Sequence, residues 1–253
     1  MDVDALIAGV FSLVGVGIYL FLGVRLANRP VSAHSRLPAG QFALFWIGLA
    51  VVTLLGALLS LEAIFVVPSV ALVITFVHLE ILVLCAVLWG LLGYLTYLYT
   101  GRSYLVVWSV WYGALYLVLT YIITAATKTV TVTQGTVTLQ YTNLVGGPVL
   151  DVLIALLLAP EFLGALLYFT LVFRSRDPTI RYRVTLVSWS LIAWFGLASI
   201  NLAGLLGGGF AAQLLDHSLG VIAAIVILLA YYPPRFVRAR LRVTGIDSSV
   251  VTP

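Results

Sequence analysis

Pro68 to Thr100 reads PSVALVITFVHLEILVLCAVLWGLLGYLTYLYT, an apolar run in which, tyrosine and cysteine aside, only His78 and Glu80 ionise. At about 1.5 Å per helical residue the run is longer than the roughly 30 Å hydrocarbon core of a bilayer. It is too long and too apolar for the core helix of a water-soluble domain, so it reads as a membrane-spanning helix. Ionisable groups inside such a helix are costly and usually face a bundle interior or a wet cavity. His78 and Glu80 are therefore candidate functional groups.

Six further runs of spanning length flank this one. Ala5–Leu26 and Gln41–Phe65 precede it; Tyr104–Thr127, Pro148–Phe173, Ile180–Leu206 and Phe210–Tyr232 follow. The expected fold is an all-α membrane protein, a seven-transmembrane helix bundle forming one domain over residues 1–242, with a short tail over 243–253. Composition agrees: 62% of residues are hydrophobic and 9% charged, against roughly 25% charged in soluble domains. Asp2 and Asp4 precede the first run where a signal peptide would carry cations, so the first helix is expected to be retained.

Charge sets the expected orientation. Arg25, Arg29 and Arg36 follow run one, Arg102 follows run three, Arg174, Arg176, Arg181 and Arg183 flank the turn after run five, and Arg235, Arg238, Arg240 and Arg242 follow run seven. If the runs alternate, all twelve arginines share one side and only Lys128 lies on the other. The positive-inside rule then puts the N-terminus outside and the C-terminus in the cytoplasm of a multi-pass cell-membrane protein. The net charge of +4 sits in these loops and gives no argument for nucleic acid. The Arg235–Arg242 segment is expected to lie on anionic lipid. The single cysteine, Cys85, rules out an intrachain disulfide. Scarce Met, Cys, Asn and Gln fit a thermophile, and GC-rich codon usage gives the same bias.

One outer loop departs from the helical pattern. Residues 128–143 read KTVTVTQGTVTLQYTN, with Thr and Val alternating on both sides of Gln134-Gly135. Period-two alternation around a Gly-containing two-residue turn predicts a β-hairpin. Its register would set Val132 against Val137, Val130 against Leu139 and Thr131 against Thr138. The hairpin reads either as a structural cap or as a lid over a pocket.

The polar groups gather in the outer half: Glu62, His78, Glu80, Asp151, Glu161, Asn201, Asp216 and His217. That distribution points to an outward-facing pocket for a small or lipophilic ligand, lined by His78, Glu80, Asp151, Asn201, Asp216 and His217. Glu161 and Asp151 are proton-relay candidates, and Pro160 is expected to kink its helix. His78 and Glu80 lie about 200° apart around a helix, so pairings are expected between helices, such as His78 with Asp216 or Glu80 with His217. Plain interhelical hydrogen bonding is the simpler reading of the whole set. No HxxxH or HExxH spacing argues for a metal. Haem held between His78 and His217 is chemically conceivable, with two structural histidines the simpler reading. His34, in the first inner loop, reads as solvated. Trp108, Trp111, Tyr112 and Tyr116 form an aromatic stripe of the kind used in packing. No nucleophile–base pair or metal motif names an enzyme.

The layout resembles that of rhodopsins and receptor-like proteins. Rhodopsins hold retinal on a lysine of the last helix; the last run here has none, which argues against a covalent retinal. Over roughly the first hundred residues, the basic first loop, Phe45-Trp46, Leu61-Glu62 and Tyr97-Leu98-Tyr99-Thr100-Gly101-Arg102 resemble the seven-helix sensor module of some prokaryotic histidine kinases. That resemblance implies signalling through a separate protein partner at the basic cytoplasmic face. The leading expectation is thus a prokaryotic sensor or receptor-like protein with membrane lipid and a small ligand as partners. The alternatives are a small-molecule or proton-coupled transporter, or a non-catalytic pigment- or haem-holding subunit of a membrane complex.

Overall fold

A long apolar run in a nonaqueous environment satisfies its backbone within itself, and helix is the form that does so. The computed structural model, which describes residues 3–29, 36–126, 128–133, 136–141, 147–202 and 209–243, is mostly helical. Its elements are α1 (Val3–Ala27), α2 (Arg36–Ala63), α3 (Val70–Thr100), α4 (Leu105–Ala125), β1 (Lys128–Thr133), β2 (Thr136–Tyr141), α5 (Gly147–Phe169), α6 (Leu171–Arg174), α7 (Pro178–Leu202), α8 (Gly209–Tyr231) and α9 (Arg235–Val243). His34, the Gln134-Gly135 turn, Gly204, Gly207, Gly208 and the tail beyond Val243 lie outside the described residues.

The stretch that opened the reading is one helix of 31 residues with both ends defined by side-chain or backbone chemistry. The Ser69 hydroxyl accepts from the Leu72 amide at 3.2 Å, which caps the first turn. Gly101 takes φ 76°, and its amide returns to the Tyr97 carbonyl. A left-handed residue after the last turn is a glycine position, and it stops α3 there.

Among the described residues, five segments are long and apolar enough to cross a membrane: Gly9–Ala27, Arg36–Ala63, Val70–Thr100, Leu105–Ala125 and Val152–Arg174. A sixth appears if Ser218–Tyr231 and Arg235–Leu241, bent by 50°, count as one. This is fewer than the seven runs expected. The count covers only residues 178–196 of α7 and 218–231 of α8. The apolar helices are compatible with a multi-pass membrane protein. Exposure supports that statement: on α4, Val106 is 78%, Val110 68%, Leu117 67% and Tyr121 73% exposed. A soluble monomer rarely presents such a face to water.

The helices close on themselves. α1 packs on α2, α2 on α3, α3 on α5, α5 on α7, α7 on α8, and α8 returns to α1, while α4 leans on α3 and α5. Small residues permit the tightest crossing. A Cβ at Gly48 of α2 would run into the Val87 side chain of α3, the close approach that small residues provide between membrane helices. The core is aromatic where α1, α2, α3, α7 and α8 meet. Phe42 stacks on Tyr94 at 4.4 Å, Phe45 meets Trp46 edge-on at 4.9 Å, and Trp46 stacks on Trp194 at 6.1 Å.

β1 and β2 pair antiparallel, with Val132 opposite Val137, Val130 opposite Leu139 and Thr131 opposite Thr138. β1 touches α3 and β2 touches α2. The Lys128 ammonium donates to the carbonyls of Thr124 at 3.1 Å and Ala126 at 3.0 Å, and also to that of Ile123. These are carbonyls the end of α4 leaves without amide partners, and a cation there also suits the helix dipole. Pro233-Pro234 ends α8, since proline brings no amide to continue it, and the amphipathic α9 leaves at the bend.

Candidate functional site

Glu161 follows Pro160 within α5, which continues as a single helix past the proline. Its side chain is fully buried, at 0% exposure. From α4, the Tyr112 hydroxyl donates to Glu161 Oε1. Glu161 Oε2 is buried with no hydrogen-bond partner among the described residues, as is the indole N–H of Trp108, one turn before Tyr112. Cys85 of α3 is buried in the same core as Tyr112. Two helices, α4 and α5, meet at one carboxyl group.

The local sequence explains how Tyr112 comes to face inward. On α4, Tyr112, Leu115, Leu119 and Ile123 are all buried, and their spacing of three or four residues draws one stripe along the helix. Trp111, outside that stripe, is 38% exposed. The stripe otherwise buries only apolar atoms, so the carboxyl and hydroxyl of Glu161 and Tyr112 satisfy each other. The second carboxyl oxygen remains a hydrogen-bonding position in an apolar interior, and such atoms are uncommon in folded proteins.

The residues expected to line an outer pocket separate into two groups. His78 is half-buried on α3 and its Nε2 lies 3.3 Å from Thr124 Oγ1 of α4. The Thr124 hydroxyl also lies 2.7 Å from the Thr120 carbonyl, to which it donates. Glu80 turns to the other neighbour: its Oε1 would lie 3.5 Å from a Cβ placed at Gly56 of α2. The two side chains thus look toward α4 and α2, as their spacing around the helix requires. Glu62 is exposed at the end of α2. Asp151, Asn201, Asp216 and His217 belong to α5, α7 and α8, and their side chains lie outside the described residues. α3 and α8 meet through the hydroxyls of Tyr94 and Tyr231. Among the described residues no group of three or more His, Cys, Asp or Glu is arranged to hold a metal ion.

At the other end of the bundle from the strands, contacts collect the arginines. The Tyr232 hydroxyl donates to the Arg25 carbonyl at 2.9 Å, and Arg174 lies over the Tyr99 ring at 5.4 Å. Arg29 and Arg183 both lie over Tyr231, at 5.1 and 5.0 Å. Sequence reasoning identified Glu161 and the arginines but not the Tyr112 contact or the Tyr94–Tyr231 contact. A tyrosine in an apolar helix signals a hydroxyl that needs a partner, and that signal was present in both cases.

Compared with known proteins, the chain matches no family model and no curated protein. Its function is therefore argued from the site alone.

Proposed function

We propose that the chain is a seven-helix, receptor-like membrane protein that takes a small or lipophilic ligand into its interior from the hairpin side. In this reading α1, α2, α3, α4, α5, α7 and α8 each cross the bilayer, the N-terminus is outside, and the arginine end with α9 faces the cytoplasm. The observation that carries the proposal is the fully buried Glu161, held by Tyr112 through one oxygen and unpartnered at the other. An ionisable residue inside a membrane bundle is expensive, and its retention is by default a functional matter. A ligand with a hydroxyl, amine or amide would pair with Glu161 Oε2, with Trp108 as an additional donor. His78, Glu80, Asp151, Asn201, Asp216 and His217 would then line the way in rather than a single pocket. α5 packs on α3 through Gly164 against Leu92 and Leu95. α3 leads on to Tyr94 and the arginine end, which gives ligand occupancy a route to that face. The resemblance of the first hundred residues to histidine-kinase sensor modules supports a separate signalling partner there.

Mass spectrometry of an organic extract of the purified protein tests the proposal. One dominant small molecule should accompany the native chain and Glu62→Gln, and fall at least about tenfold in Glu161→Leu, the loss of one buried hydrogen bond. The same extract from native and Glu161→Leu protein would contradict it.

The same carboxyl supports a second reading, a proton-coupled carrier in which Glu161 and Asp151 relay protons along α5. That reading requires pH-dependent flux in liposomes that Glu161→Gln abolishes. Absence of flux at any pH would retire it.

A further inference from the structure

The arginine end of the bundle holds two cations that the proposed function does not use. Arg29 follows α1 and Arg183 lies near the start of α7, and their guanidinium carbons sit 5.1 and 5.0 Å from the centroid of one ring, that of Tyr231. Like charges gathered on one ring repel unless an anion joins them. Among the described residues no carboxylate takes that role. Asp177, six residues before Arg183, uses its Oδ1 on the Thr179 amide at 2.7 Å and the Ile180 amide at 3.4 Å. The Nε of Arg183 is buried without a hydrogen-bond partner among the described residues. Burial, and then the neighbouring Arg183 charge, push the Arg29 guanidinium below its ordinary value, against the pull of the nearby tyrosines.

Arg29 also borders a cavity of about 530 Å³ between the end of α1 and the start of α2. Its polar part is Asn28, Arg29 and Arg36; Ala39 and Gly40 leave it open, and Leu44 carries it onto the apolar side of α2. Leu44 is 42% exposed on the outside of the bundle. The cavity therefore runs from guanidinium groups to a lipid-facing surface within one lining. A planar guanidinium donates two parallel N–H groups to phosphate oxygens, and Arg29 and Arg36 both line this cleft.

We infer that this cleft binds a phosphate group, supplied by a membrane phospholipid whose acyl chain lies along Leu44 and Ile47. The inference rests on the membrane-spanning reading above. A soluble phosphate compound would offer the same oxygens to Arg29 and Arg36 but nothing to the apolar part of the cleft, which is why the lipid is the better match.

Native mass spectrometry of the full chain in detergent, titrated with phosphatidylglycerol or with inorganic phosphate, tests it. The native chain should retain one phosphatidylglycerol through delipidation. Arg29→Gln and Arg36→Gln should each weaken retention at least about tenfold, as expected for a lost charge-assisted pair. Arg29→Lys, which keeps the charge and loses the fork, should fall between, and Arg240→Gln on α9 should match the native chain. Equal retention by all variants, at matched melting temperature, would overturn the site. Arg29-dependent binding of inorganic phosphate without retained phosphatidylglycerol would overturn the lipid assignment. Failure of the membrane reading would show separately, as a chain that stays monodisperse in buffer without detergent.

Discussion

Glu161 and Tyr112 show how far single residues carry the account. The carboxyl was visible in the sequence as a charge deep in an apolar run. Its partner was not, because α4 and α5 are consecutive runs whose relative rotation is set only by packing, and Tyr112 sat in an aromatic stripe that packing already explained. Removing the hydroxyl leaves both carboxyl oxygens unpartnered in an apolar interior. Tyr112→Phe should therefore destabilise the protein by about 1–3 kcal/mol, seen as a lower melting temperature in detergent, whereas Glu62→Gln at an exposed position should change it by less than about 0.5 kcal/mol. Lys128 is a second case. Its charge helped to set the expected sidedness, but its contacts with three carbonyls at the end of α4 required the structure. Lys128→Met should cost about 0.3–1 kcal/mol, the value of a cation at a helix C-terminus. An unchanged melt would mean that solvent satisfies those carbonyls equally well.

At the scale of elements, long apolar runs and local punctuation were the most legible features. α3 begins after Ser69 and stops before Gly101, residues whose cap chemistry can be read directly. The pairing of β1 with β2 follows from the alternation of Thr and Val, since a one-residue slip would place every threonine on the opposite face. Helix faces were less legible, because nearly every side chain on these helices is apolar and a membrane helix has little amphipathic contrast to mark its inner side. Close-packing glycines illustrate the difficulty. Gly48 and Gly113 look alike in sequence, but a Cβ at Gly48 would meet Val87 whereas one at Gly113 would meet nothing within 4 Å. Gly48→Ala should then cost about 1–3 kcal/mol by overpacking, and Gly113→Ala should be neutral or stabilising by up to about 1 kcal/mol through helix propensity. Thermal melts of the two variants side by side separate packing from propensity; equal shifts would remove the argument for a tight α2–α3 crossing.

The whole molecule couples a hydroxyl-rich hairpin, a buried carboxyl and an arginine-rich end through one closed ring of helices. The apolar, helical character was legible from composition, and the ring was not, since its closing contact, α8 on α1, joins the two ends of the chain. The functional account depends on the number of crossings. With seven, the hairpin and α9 lie on opposite sides of the bilayer and Glu161 lies between a ligand entrance and a signalling face. With an even number, the hairpin or the arginines change sides and that arrangement fails. Cys85, the only cysteine, is buried at 5% exposure, so Cys85→Ser provides a background for single reporters. The decisive measurement is labelling of intact cells with a membrane-impermeant maleimide, using Thr129→Cys in β1 and Ala239→Cys in α9. Seven crossings predict that Thr129→Cys is labelled from outside and that Ala239→Cys is labelled only after the membrane is opened. Labelling of both from the same side would contradict the seven-helix receptor reading.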